Sequence, residues 1–140
     1  MGVRKASLPE DIPSIICLLK YIDLSIYPDA VDIKNPDDQW FVYEDKRKII
    51  GCVAARKSRG EIRHVVVHPN HRKKGIGSQL VSHAIKFLKS IGCSSVWAQV
   101  RVKNKESQRL FESLGFKRDS HIITSLKDPK VKLYKYIFIL

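Results

Sequence analysis

Three valines followed by a basic turn with two glycines, Val65-Val66-Val67-His68-Pro69-Asn70-His71-Arg72-Lys73-Lys74-Gly75-Ile76-Gly77, form the stretch of this sequence best suited to chemistry. Glycines at 75 and 77 carry no side chain that would hold a ligand off the backbone. The N–H groups of a first helical turn have no intrahelical partner and carry partial positive charge, so such a turn takes an anion, a diphosphate for instance. Arg72, Lys73 and Lys74 each add roughly 0.3–1 kcal/mol of exposed attraction. The spacing lacks the Gly-x-Gly-x-x-Gly of a dinucleotide fold and the Gly-Lys-Ser/Thr ending of a nucleotide P-loop. A plain strand-to-helix turn on a basic surface would use the same residues.

Periodicity around the turn shows what must hold it. Val3 to Ala6 reads as a short strand. Asp11 then caps a helix to about Lys20, with Pro13 in its first turn and Ile12, Ile15, Ile16 and Leu19 as its apolar stripe. Tyr27 to Asp38, rich in proline and aspartate, reads as a loop with one short helix and as a wall for an acceptor pocket. Three strands follow, Trp40 to Glu44, Ile49 to Arg56 and Glu61 to His68, separated by charged turns, which predicts an antiparallel meander.

After the glycine turn, Ile76, Leu80, Ala84, Leu88 and Ile91 recur at helical spacing until Gly92. A strand from Ser95 to Val100 follows. Asn104 reads as the N-cap of a helix carrying Leu110, Phe111 and Leu114, closed by Gly115 and Phe116. A last strand runs from Val131 to Ile139. The order predicts one α/β domain of the α+β type, with helices packed on a largely antiparallel sheet.

The 140 residues fit a single domain with a core that needs no disulfides. Cys17, Cys52 and Cys93 have no metal-ligand spacing and an odd count, so they read as buried thiols and no metal is expected. No apolar run is long enough to span a bilayer, and Met1 to Ser7 lacks the apolar stretch of a signal peptide, so a cytoplasmic protein without a membrane partner is expected. A net charge of +12 favours polyanions: nucleic acid, acidic lipid or a phosphorylated cofactor.

The strand, the Arg-x-x-Gly-x-Gly turn and the following helix resemble the acetyl-CoA motif of the GNAT N-acetyltransferase superfamily. Asn104-x-x-Ser107-x-x-Leu110-Phe111-x-x-x-Gly115-Phe116 is similar to that family's second signature. Val3-Arg4-Lys5-Ala6-x-x-x-x-Asp11-Ile12 is similar to its opening strand and helix. The resemblance covers almost the whole chain. It implies a mixed, mostly antiparallel sheet of about six or seven strands flanked by about four helices, acetyl-CoA as cosubstrate, and acetyl transfer to a primary amine.

The resemblance also assigns roles. The backbone of Val65, Val66 and Val67 would pair with the pantetheine arm, with an N–H near Val66 or Val67 as oxyanion donor. Arg72, Lys73, Lys74, Gly75, Ile76 and Gly77 would bind the pyrophosphate. Asn104, also a helix cap, and Ser107 would touch the cofactor. Glu61 stands where several members keep a catalytic glutamate and is the candidate general base, with His64 in reserve. Phe111 departs from the tyrosine that many members use to protonate the leaving thiolate, which leaves Tyr134 and Tyr136 as substitutes or as packing residues.

A lysine-like amine is neutral at pH 7 only about once in two thousand molecules, a penalty of roughly 4.6 kcal/mol; a peptide amino terminus needs less help. The expected partners are therefore acetyl-CoA and an amine: a protein amino terminus, a lysine or a small molecule. The chain would act as a monomer or homodimer. Two other readings stand beside this one, a non-catalytic CoA-binding module and a basic nucleic-acid or ribosome-associated protein. The latter lacks helix-turn-helix, zinc and aromatic RNA-binding signatures.

Overall fold

A computed structural model describes residues 2–22, 33–126 and 128–140. Residues 27–32 of the expected acceptor-wall loop lie outside them. Elements follow in the order β1 (Gly2–Lys5), α1 (Ile12–Leu19), β2 (Asp38–Asp45), β3 (Lys48–Arg56), β4 (Glu61–Val67), α2 (Ile76–Ser90), β5 (Ser95–Arg101), α3 (Lys105–Ser113), β6 (Lys117–Thr124) and β7 (Lys132–Ile139). The seven strands form one sheet in the order β1-β2-β3-β4-β5-β7-β6. All its neighbours are antiparallel except β4 and β5. The described residues hold three α-helices rather than about four, none of them long and apolar enough to cross a membrane.

Two apolar layers sandwich the sheet. On one face Ile15, Leu18 and Leu19 of α1 pack with Trp40, Cys52 and Val66. On the other, Leu80, Ala84 and Leu88 of α2 and Phe111 of α3 pack with Val53 and Ile62. Pro13 sits in the first turn of α1, where its missing N–H costs nothing. Asp11 precedes that helix but does not cap it with its side chain. Its carboxylate accepts from Arg4 Nη1 (2.7 Å) and from Ser7 N–H (2.7 Å), tying β1 to the start of α1. The α2 helix ends one turn earlier in burial than its periodicity suggests, because Ile91 is its exposed C-cap.

Strand β6 was not legible as a strand. Its sequence, Lys-Arg-Asp-Ser-His-Ile-Ile-Thr, is polar and mostly exposed, and it forms only because β7 offers an edge to pair with.

A bulge in β4 shapes the rest of the molecule. Cys52 of β3 faces Val66 and Ala54 faces Arg63, so His64 and Val65 together stand opposite Val53. His64 takes the extra residue's left-handed conformation (φ +54°), an uncommon one for a side-chain-bearing residue. The slip reverses the strand's alternation. Ile62, Val65 and Val67 all pack with the α2 core, while Val66 joins the α1 core and the His64 ring stacks on Trp40 at 5.7 Å.

Candidate active site

Strands β4 and β5 touch only at one end. Glu61 pairs with Trp97, and Trp97 N–H donates to Gly60 O at 3.0 Å. The Trp97 indole Nε1–H fastens the same end by donating to Arg59 O at 2.9 Å. Beyond this point β5 pairs with β7 over Ser95–Arg101, and β4 pairs with β3. The two parallel strands thus bound a wedge that opens toward the C-terminal end of β4. Buried backbone amides without partners are costly, so such an edge suits an extended ligand that carries amides of its own.

Which amides face the wedge follows from the ladder. His68 N–H donates to Ile50 O at 2.8 Å, and hydrogen-bonded pairs alternate along an antiparallel ladder, so the Cys52–Val66 pair is bonded too. Val66 N–H is therefore spent on β3. This corrects the expectation that Val66 is an oxyanion donor, because its N–H points to the wrong edge. Val67 has its N–H and C=O on the wedge side, and its C=O accepts from Arg72 Nε at 3.2 Å. Val65, two residues earlier, shares its side-chain face.

At the open end the chain passes through a short 3₁₀ turn, Pro69–His71, capped by His68 Nδ1 accepting from Asn70 N–H (3.1 Å). Arg72 folds back on the end of β4, and Lys73 and Lys74 are exposed. Lys73 (φ +64°) and Gly75 (φ +78°) both adopt left-handed backbone. Gly75 is the N-cap of α2, whose first helical bond runs from Gln79 N–H to Gly75 O at 3.1 Å. The N–H groups before Gln79 are the unpaired donors of that turn. Ile76 is buried in the core, so only its backbone is available there. The two glycines do different work. A Cβ on Gly75 would meet nothing within 4 Å, so that glycine serves its backbone angle; a Cβ on Gly77 would lie 3.4 Å from Leu110 and 3.8 Å from Val67, at the contact between α2, α3 and the wedge.

The opposite bank is the start of α3. Asn104 is its N-cap, with Oδ1 accepting from Ser107 N–H at 3.1 Å. Gln108, not singled out from the sequence, is buried and donates from Nε2 to Arg101 O (3.2 Å) and Val102 O (2.8 Å), stitching α3 to the end of β5. Its signal was the four-residue step from Asn104, which places both on one side of the helix.

Glu61 lies at the closed end, six residues or about 20 Å of strand from Val67. It is 7% exposed. Burial raises its pKa above the ordinary carboxylate range, against the pull of Arg63, Arg59 and Arg56, which lowers it. A carboxylate in that state holds a proton more tightly than one in water while remaining a base. Cys52 is buried beneath the bulge, its Sγ 3.7 Å from His64 O, and burial pushes its thiol up to about 12. It is protonated and inert.

Phe111 packs edge-on against Phe116 and is stacked on Tyr136. The fully buried Tyr136 donates its hydroxyl to Glu112 Oε2 at 3.1 Å, and burial together with Glu112 raises its pKa. Arg118 covers the Tyr134 ring at 4.3 Å. A separate cavity of about 490 Å³ lies between Asp11 and Ser14, the β2–β3 turn, and His68 to His71. Its lining meets the open end of the wedge at His68, Asn70 and His71, and its acids Asp11 and Glu44 are tied to Arg4.

The sequence profile of the Acetyltransferase (GNAT) family matches residues 10–116. N-acetyltransferase 8 of Homo sapiens is 27% identical over 112 residues, covering 71% of this chain and 49% of that protein, so the chain spans about half the length of this relative. The crystal structure of Ard1 from Thermoplasma volcanium superposes with a TM-score of 0.84 at 22% identity, covering 99% of this chain and 97% of that one. A GNAT family acetyltransferase from Elizabethkingia anophelis with acetyl-CoA bound gives 0.78 at 17% identity, covering 99% and 97%.

Proposed function

The chain belongs to the GNAT acetyltransferase family, and from that membership we propose that it transfers the acetyl group of acetyl-CoA directly to a primary amine. The observation that carries the proposal is the wedge, which joins an anion-binding turn at its open end to a buried carboxylate at its closed end. Acetyl-CoA supplies the thioester whose acetyl group is transferred.

The protein's own residues do the rest. Arg72, Lys73 and Lys74 and the amides of Gly75, Ile76 and Gly77 hold the diphosphate. The edge amides of Val65 and Val67 pair with the pantetheine arm, and one of them polarises the acetyl carbonyl. Asn104 and Ser107 line the opposite bank. Glu61, reached from the attacking nitrogen through a relay of water along β4, accepts the proton that the amine must lose.

Cys52, protonated and buried, is no nucleophile, and the amine attacks the thioester directly. Nor does the leaving group need Tyr136, because a thiol of pKa about 8.5 departs as thiolate at a cost of around 2 kcal/mol at pH 7. An amino terminus is a better acceptor than a lysine for a base of this strength, and a surface of net charge +12 disfavours polyamines. Cytoplasmic action as a monomer or homodimer completes the proposal.

Incubation with acetyl-CoA and separate peptide, lysine and polyamine acceptors tests it, with free thiol and acetylated amine both measured. Stoichiometric release of thiol and formation of acetyl-amine is the expected result. Binding of acetyl-CoA without transfer to any amine would instead support a CoA-binding module, the reading that Phe111 favours.

A further inference from the structure

The sheet face that carries Glu61 also carries cations. Alternation and register put Glu61 and Arg63 of β4, Trp97 and Gln99 of β5, and Lys135 of β7 on the α1 side, since their neighbours Ile62, Val96, Ala98 and Tyr136 all belong to the α2-side core. Gln99 is exposed, and Trp97, Arg63 and Lys135 are half-buried. Lys135 Nζ sits 4.8 Å above the Trp97 ring, and Gln99 separates Lys135 from β4 in the register. Arg59, whose backbone carbonyl Trp97 binds, is exposed, and its charge acts on Glu61 alongside that of Arg63.

Among the described residues, Arg59, Arg63 and Lys135 form no salt bridge with a carboxylate. Among the described residues, two further acids at this end are engaged elsewhere: Asp38 accepts from Arg56 Nε and Nη2, each at 2.9 Å, and Asp37 accepts from Ser58 Oγ and N–H. An acceptor that enters over this face therefore passes three cations, and the carboxylate that Arg63 and Arg59 act on is Glu61 itself. They repel a cationic acceptor, and they favour the neutral form of the incoming amine.

Resting on the transfer reading above, we propose that the acceptor is an amine borne on an acidic segment: a peptide amino terminus followed within a few residues by Asp or Glu. Arg63, Arg59 and Lys135 are its specificity determinants. The acceptor's acidic side chains add counter-charge to these cations, and its uncharged attacking nitrogen gives up its proton toward Glu61.

The test measures kcat/KM with saturating acetyl-CoA for three peptides that share an amino-terminal alanine and continue with acidic, neutral or basic residues. The acidic peptide is expected to exceed the basic one by roughly tenfold or more, with the gap narrowing in 0.5 M salt. Lys135→Glu and Arg63→Glu are expected to lower the acidic peptide and raise the basic one. A merely structural defect would lower both.

Equal values for acidic and basic peptides, with transfer intact, overturn this inference and leave the transfer reading standing. Acetyl-CoA binding without transfer to any of the three overturns both. Equal peptide values together with salt-sensitive binding of an RNA oligomer that Lys135→Glu abolishes would reassign the face to nucleic acid.

Discussion

Replacing Glu61 by Gln separates its chemistry from its cost to the fold. The carboxylate is 7% exposed and its pKa is raised by burial. A group whose folded pKa lies above its unfolded one stabilises the fold fully below the unfolded value, and that contribution is lost as pH rises through the folded value. Once ionised, Glu61 is thus a burden on stability, and above its folded pKa Glu61→Gln is expected to unfold at an equal or higher temperature than the parent.

Its activity should move the other way. A peptide amino terminus of pKa about 8 is neutral in roughly one molecule in ten at pH 7, which costs about 1.4 kcal/mol, and a positioned base commonly contributes about 10²–10⁴-fold. The variant is expected to lose about 10²–10³-fold in kcat at pH 7, and to recover much of it at pH 9.5, where the amine is already neutral. In the parent, kcat should rise on the acid side through the elevated pKa of Glu61. Arg63→Gln, which removes the largest of the opposing charges, should move that limb further up. Steady-state thiol release across pH 5 to 10 provides the measurement. A Glu61→Gln kcat within threefold of the parent at pH 7 would refute this role for the carboxylate.

Gly75→Val places a β-branched residue at φ +78°, which costs roughly 1–2 kcal/mol of strain and disturbs the turn's amides; a drop of a few degrees in Tm and at least a tenfold loss of acetyl-CoA affinity by calorimetry are expected. Asp11→Asn removes the charged partner of Arg4 and weakens the Ser7 bond. A loss of about 1–2 kcal/mol in urea unfolding at pH 7 is expected, kept modest because the Arg4 side chain is 36% exposed. Arg4 and Ser7 hold the Asp11 carboxylate below the usual range, so this contribution is present above the unfolded pKa and fades as acid drives pH down through the folded one. Cys52, protonated and wholly buried, should resist alkylation in the native protein, and Cys52→Ala should retain transfer.

Much of this architecture was legible because local chemistry and tertiary packing agree. The apolar steps from Ile76 to Leu88, the Asn104 cap and the alternating strands of the meander each specify one element, and the structure contains them within a residue or two. What escaped depends on neighbours distant in sequence. Strand β6 has no apolar face of its own and exists through β7. The bulge at His64 leaves no mark in three consecutive valines, yet it decides that Val66 faces β3 and Val67 faces the wedge. Gly77 read as clearance for a ligand, whereas the space it leaves is bounded by Leu110 of α3. Tyr136 read as a spare acid, but its hydroxyl is directed to Glu112, a contact made across α3 and β7.

Backbone amide NMR of the ¹⁵N-labelled protein, titrated with acetyl-CoA in 0.5 M salt, tests the central claim most directly. If acetyl-CoA lies in the wedge, saturation at one equivalent is expected, with large shifts and new exchange protection at Val67 and the Gly75–Gly77 amides. Val66 N–H, already bonded to β3, should be protected before any ligand is added. Shifts scattered over exposed lysines that vanish at this salt, with Val67 unmoved, would contradict it.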